Sequence, residues 1–247
     1  MTLHDETVSA VLLDIEGTIT PLDFVYKALF PYARSHLRQF LSTHLLFPEV
    51  GTDIAQLHEE HRVDTEQGLN PPRLRANTPE EEFDSAAEYI EWLMDHDRKS
   101  TSLKSLQGRI WEEGYKRGEL RGQVFDDVPR ALERWPKQEK KISIFSSGSV
   151  LAQKLLFTHT TAGDLSRHIS HYFDTTVGSK TDKQSYQRIV SLLQLLPSDF
   201  VFISDVSPEL DAAKLAGMHT LLCVRPGNRP QTVSTHPRIQ TLDEVFP

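Results

Sequence analysis

Five short runs that are apolar on both faces constrain this chain most: VSAVLLD (8–14), KISIF (141–145), HYFDTTV (171–177), FVFISD (200–205) and HTLLCV (219–224). A strand with one wet face alternates polar and apolar residues, whereas a strand covered on both faces reads as nearly continuous aliphatic and aromatic residues. Helical patterns fall between the later runs, at VLAQKLLF (150–157), SYQRIVSLLQLL (185–196) and PELDAAKLAG (208–217), the last ending on a glycine suited to a C-cap. Strand alternating with helix predicts an α/β fold on a Rossmann-like parallel sheet with right-handed crossovers.

The interval after the first strand breaks this rhythm. From about Phe24 to Gly122 the patterns are helical without convincing strands: FVYKALFPYARSHLRQFL, AAEYIEWLMDHDRKS and SLKSLQGRIWEEGYKRG. Ile90, Leu93, Met94, Ile110, Trp111 and Tyr115 fall at helical spacing, which predicts packing. The polar stretch 61–84, with its Pro and Gly, reads as a loop. The expected organisation is an α/β core of residues 1–22 and 123–247 with a helical unit, 23–122, inserted after the first strand.

Bulk properties narrow the function. At 247 residues a sizeable core is possible. With 27 basic against 35 acidic residues, a formal net charge of −8 and no run of Lys or Arg, nucleic acid is not an expected partner. The acidic, polar start MTLHDETV reads as no secretory signal, and no apolar run is long enough for a bilayer. The single cysteine, Cys223, excludes an intrachain disulfide and fits a reducing compartment. These features predict a soluble protein of the cytoplasm, with the nucleus a second compartment open to it. An acidic surface without an obvious apolar interface stripe predicts a monomer, with no membrane partner.

In an open parallel sheet, ligands sit beyond the carboxyl ends of the strands. Here those ends are polar. The first gives Asp14 and Glu16, the second Ser146 and Ser147, the third leads to Lys180, and the fourth gives Asp205. Two acids from one strand and one from another suit a hard divalent cation bound through oxygen. A lysine and hydroxyls ahead of a helix N-terminus suit a phosphate. Together they describe phosphoryl transfer, in which neutralising the phosphate lets a carboxylate attack phosphorus.

Each residue also has a plainer reading. Acids at strand ends often cap helices, and Ser146 or Ser147 could cap the helix that begins near Val150. Lys180 competes with Lys183 and Lys154 for the phosphate, and Asp205 competes with Glu209 and Asp211 for the metal. His168 and His171 stand three apart without a zinc-binding pattern, so they receive no metal.

In this order, DIEGT, the Ser146–Ser147 pair, Lys180 and Asp205 with Glu209 behind it resemble the four motifs of the haloacid dehalogenase superfamily of phosphohydrolases, with Asp14 at the nucleophile position. The helical insert is similar to that superfamily's first type of cap. Glu16 departs from the common pattern, which has aspartate there. With DIEGT, the segments LFPY (29–32), DRKSTSLKSLQGRIW (97–111), SSGSVLAQKLLF (146–157), FDTTVGSK (173–180) and RPGN (225–228) resemble the enolase-phosphatase (acireductone synthase) family of methionine salvage. That resemblance covers nearly the whole chain. It implies a Mg2+-dependent enzyme acting on the small phosphorylated diketone 2,3-diketo-5-methylthiopentyl-1-phosphate, first enolising it and then releasing phosphate to leave the acireductone. It further implies Asp14 as nucleophile and Glu16 as general acid and base. Asp14, Glu16 and Asp205 would hold one Mg2+, Glu16 through side chain or backbone, and Ser146, Ser147 and Lys180 would bind substrate. A phosphatase of the same superfamily acting on another ester is the nearer rival, and a phosphoacceptor signalling module the more distant one.

Overall fold

The computed structural model describes residues 8–44, 47–75, 77–228 and 234–247. Two compact units emerge. One joins the segment up to Lys27 to Leu120–Pro247, and the other is Ala28–Glu119.

The first unit is built on β1 (Ala10–Leu13), which leads through the single turn α1 (Leu22–Phe24) towards the second unit. All four residues of β1 are fully buried, as its unbroken aliphatic character requires. The second unit contains four long helices, α2 (Phe30–His44), α3 (Pro48–Glu66), α4 (Pro79–Asp95) and α5 (Thr101–Arg117). Local chemistry sets their ends. Thr78 and Ser100 cap α4 and α5 by accepting the backbone N–H groups of Glu81 and Leu103, and α5 stops at Gly118, which is left-handed at φ 73°. Of the expected packing residues here, Ile90, Leu93, Ile110, Trp111 and Tyr115 are buried, and Met94 is half-buried. Helix α3 was not legible as a helix, and it occupies the first residues of the stretch expected to be a loop. Only the part between Glu66 and Pro79 connects elements.

The chain then continues through α6 (Asp127–Lys137), β2 (Lys141–Phe145), α7 (Val150–Thr158), β3 (His171–Phe173), α8 (Lys183–Leu193), β4 (Phe200–Ser204), α9 (Ser207–Leu215), β5 (His219–Cys223) and β6 (Arg238–Ile239). The six strands form one parallel sheet in the order β3-β2-β1-β4-β5-β6. β1 pairs with β2 on one side and β4 on the other, so Asp14 leaves the middle of the sheet. One face packs on α8 and α9, where Ala10, Leu12, Phe145, Phe200, Phe202, Tyr186, Ile189 and Leu210 share a core.

One expected strand, HYFDTTV (171–177), proves shorter, and two elements are additional. β3 ends at Phe173, because Asp174 turns the chain by accepting the Thr176 N–H (3.0 Å), and Thr175–Val177 form a 3-10 turn. Helix α6 and strand β6 were not foreseen, β6 being only two residues long. Among the described residues, no helix is long and apolar enough to cross a membrane.

Candidate active site

Asp14 sits immediately beyond β1, 2% exposed, its backbone N–H still bonded to the carbonyl of Ile203 on β4 (3.0 Å). Its two carboxylate oxygens have different partners. Oδ2 accepts from the Thr18 hydroxyl (3.1 Å), and Oδ1 accepts from the Lys180 ammonium. Lys180 reaches across to Glu209 Oε2 as well (2.7 Å), with the Phe145 ring 5.9 Å from its nitrogen. The Tyr186 hydroxyl donates to the Lys180 carbonyl (2.7 Å), tying the lysine's backbone to the core. Of the three candidate lysines only Lys180 is buried; Lys183 and Lys154 are exposed.

Thr18 joins two strand ends. While its hydroxyl donates to Asp14, it accepts the backbone N–H of Asp205 (3.0 Å). Gly17 has φ 77°, and a Cβ there would lie 2.4 Å from Asp205 Oδ2. The glycine therefore serves two needs, a left-handed backbone and room for the Asp205 carboxylate. Gly17→Ala is expected to cost about 1–2 kcal/mol for the left-handed backbone alone, and to displace Asp205. Thermal unfolding would register the first effect and loss of turnover the second.

Glu16 points elsewhere. Its carboxylate accepts from Ser146 Oγ at 3.2 and 3.4 Å, and that oxygen also accepts the Gly148 N–H (3.1 Å). Ser147 is exposed beside it. Neither serine is the helix cap. Ser149 caps α7 through the Ala152 N–H (3.3 Å), and Asp174 accepts the Val150 N–H (3.2 Å). Asp211, a rival of Asp205, pairs with the buried His236 (3.0 Å) rather than with Asp14 or Lys180, whereas Glu209 belongs to the site through Lys180 and Ser204.

Four carboxylates thus surround one buried ammonium. Burial first, and then the Asp14 charge, push the Asp205 carboxyl up to about 7. The same two causes lift Glu209 to about 7 against the opposing pull of Lys180, and raise Glu16. Burial alone would lower the Lys180 pKa, but Asp14, Glu209 and Glu16 outweigh it and hold the ammonium charged. Among the described residues no group of three or more His, Cys, Asp or Glu side chains is gathered to hold a metal ion. The donor chemistry nonetheless fits one. Asp14 and Asp205 are hard oxygen donors linked through Thr18, the type of ligand a hard divalent cation takes.

Behind the β1 loop lies a pair not foreseen as functional. Arg225 and Asp127, each 5% exposed, form a bidentate ion pair (2.8 and 2.9 Å). Arg225 and Asn228 both belong to the RPGN segment, which was legible only as part of a family resemblance.

The chain matches the haloacid dehalogenase-like hydrolase family over residues 8–217. It is 46% identical over 239 residues to "Enolase-phosphatase E1" of Synechococcus elongatus, covering 97% of this chain and 98% of that protein. "Enolase-phosphatase E1" of Drosophila yakuba is 40% identical, with 92% and 88% covered. The crystal structure of the UTR4 protein of Saccharomyces cerevisiae superposes with a TM-score of 0.77 at 32% identity, over 95% of this chain and 98% of that one. A 2-haloacid dehalogenase of Pseudomonas syringae shares the fold at 17% identity and a TM-score of 0.57. The chain belongs to the haloacid dehalogenase-like hydrolases and, within them, to the enolase-phosphatase family.

Proposed function

We propose that this protein enolises 2,3-diketo-5-methylthiopentyl-1-phosphate and then hydrolyses its phosphate to give the acireductone. The observation that carries the phosphatase half is Asp14, buried at the end of the central strand with one oxygen on Thr18 and the other on Lys180. The enolase half and the substrate rest on the full-length likeness to relatives bearing that name.

In the phosphatase step the Asp14 carboxylate attacks phosphorus in line, forming an aspartyl phosphate as the bond from phosphorus to the substrate oxygen breaks. Glu16 gives its proton to that departing oxygen, a task suited to a carboxyl whose pKa burial has raised. Water then attacks the aspartyl phosphate, Glu16 takes the water's proton, and Asp14 is restored. Lys180 neutralises charge on the transferred group, while Ser146 orients Glu16, and Ser147 offers a hydroxyl to a phosphoryl oxygen. A bound Mg2+, held by Asp14, Asp205 and Glu16, the last through its side chain or its main-chain oxygen, would neutralise the phosphate and polarise the diketone carbonyl. The helical unit is read as the family's cap, and the enzyme as a cytoplasmic monomer.

Phosphate release from the diketo ester and from a panel of other small phosphate esters tests this reading. Preference for the diketo ester, with the enediol absorbance rising before or with phosphate, is the expected result. Turnover of the other esters without enediol would leave only a phosphatase of the superfamily.

Glu16→Asp refines the test. It withdraws the carboxylate by one methylene while β1 stays in place, and misplacement on the ångström scale costs about 100-fold in rate. The loss is expected to be larger on the diketo ester than on an aryl phosphate, whose good leaving group needs little proton donation. Equal losses on both would confine Glu16 to phosphoryl transfer.

A further inference from the structure

We infer that the segment Arg225–Asn228 is a positioning clamp for the catalytic loop, an inference that rests on the phosphatase reading above. Thr18 is gripped at both ends. Its hydroxyl bridges Asp14 and the Asp205 backbone, as described, and its carbonyl accepts from Arg225 Nε (3.0 Å). One residue earlier, the Gly17 carbonyl accepts from Asn228 Nδ2 (2.9 Å). Two consecutive carbonyls of the loop that carries Asp14 and Glu16 are thus fixed by one short segment after β5.

The clamp is anchored from behind. Arg225 also donates to both carboxylate oxygens of Asp127 and to the Gln240 carbonyl (2.9 Å), with its guanidinium over the Phe125 ring at 4.4 Å. Asp127 in turn accepts the Leu242 N–H (2.6 Å), and the Phe125 N–H bonds to the Ile19 carbonyl (3.0 Å). A buried ion pair is weak evidence for stability by itself, since removing two charges from water offsets much of their attraction. What this pair supplies is a guanidinium of fixed orientation, aimed at the carbonyl of the residue that holds Asp14. Arg225 and Asn228 act on Asp14 through the Gly17 and Thr18 carbonyls that they hold. Releasing either carbonyl lets the peptide planes at 17–19 rotate and moves the carboxylates of Asp14 and Asp205 apart from their common geometry.

Asn228→Ala and Arg225→Lys test the clamp, with Asp14→Asn as the reference. Asn228 is half-buried, so its truncation leaves the fold in place even where the arginine change does not. For Asn228→Ala, kcat is expected to fall about 10-fold with KM changed less than about two-fold, and for Arg225→Lys to fall about 100-fold, the scale of small misplacements of reacting groups. The Mg2+ concentration that half-saturates the thermal shift of the substrate-free protein is expected to rise in both, an effect that does not depend on turnover. Wild-type kcat in folded Asn228→Ala, or a change in melting temperature alone, would overturn the clamp while an inactive Asp14→Asn kept the phosphatase reading. An active Asp14→Asn would overturn that reading itself.

Discussion

Asp14→Asn is expected to abolish phosphate release, by about 10⁴-fold or more in kcat, while leaving the melting temperature equal to or above that of the wild type. Loss of a nucleophile that works as a unit with its neighbours accounts for the first effect. The amide keeps the shape of the carboxylate and can still accept from Thr18, but it cannot form the phosphoenzyme. The second effect follows from the charge distribution. After burial, the Asp14 charge is the leading cause that lifts Asp205, Glu209 and Glu16 above their ordinary pKa values. Removing it relieves that repulsion, so the Asp205 and Glu209 carboxyls return towards the usual range. Thermal unfolding and a phosphate-release assay on one preparation measure both. Asp14→Ala, which cannot revert by deamidation, excludes a trace of restored aspartate. A variant that turns over at a tenth of the wild-type rate would remove Asp14 from the nucleophile's role.

What the sequence made legible divides along physical lines. Buried parallel strands declare themselves through unbroken apolar runs, so β1, β2, β4 and β5 were readable with errors of a residue or two at their ends. β6 was not, since two residues carry no period, and α3 was hidden by the polar surface of a helix with only four buried residues. Asp14, Lys180 and Asp205 were legible because strand ends are where such a sheet places its chemistry, and the structure brings all three together. The orientation of Glu16 towards Ser146 was not, because a side-chain direction is set by hydrogen-bond partners more than a hundred residues away. The same holds for the clamp. Arg225 lies 207 residues from Thr18 in sequence, and nothing in RPGN itself says which carbonyl its guanidinium will meet.

Lys180→Met tests the other half of the charge arrangement. Methionine fills a similar volume against Phe145 and removes the ammonium shared by Asp14 and Glu209. The kcat is expected to fall about 10²–10³-fold, the usual cost of losing one preorganised group that stabilises transition-state charge. The variant should also lose stability, by about 3 kcal/mol near neutral pH, because breaking a buried pair leaves charge uncompensated. That loss depends on pH in a defined direction. Asp205 and Glu209 have folded pKa values of about 7, above their ordinary carboxyl values, so the folded state binds protons that the unfolded state has released. Each group's contribution to stability is complete below its unfolded pKa and is lost as pH rises through about 7. Without Lys180 to oppose the shift, both rise further, and the cost of ionising them falls on the native state alone. The stability gap between wild type and Lys180→Met is therefore expected to be widest at pH 8 and to narrow towards pH 5, where these carboxyls are protonated in both proteins. Denaturant titrations at the two pH values read it directly. A gap that stayed constant would mean that Lys180 contributes packing rather than charge, and Lys183 would then have to be tested for the phosphate role.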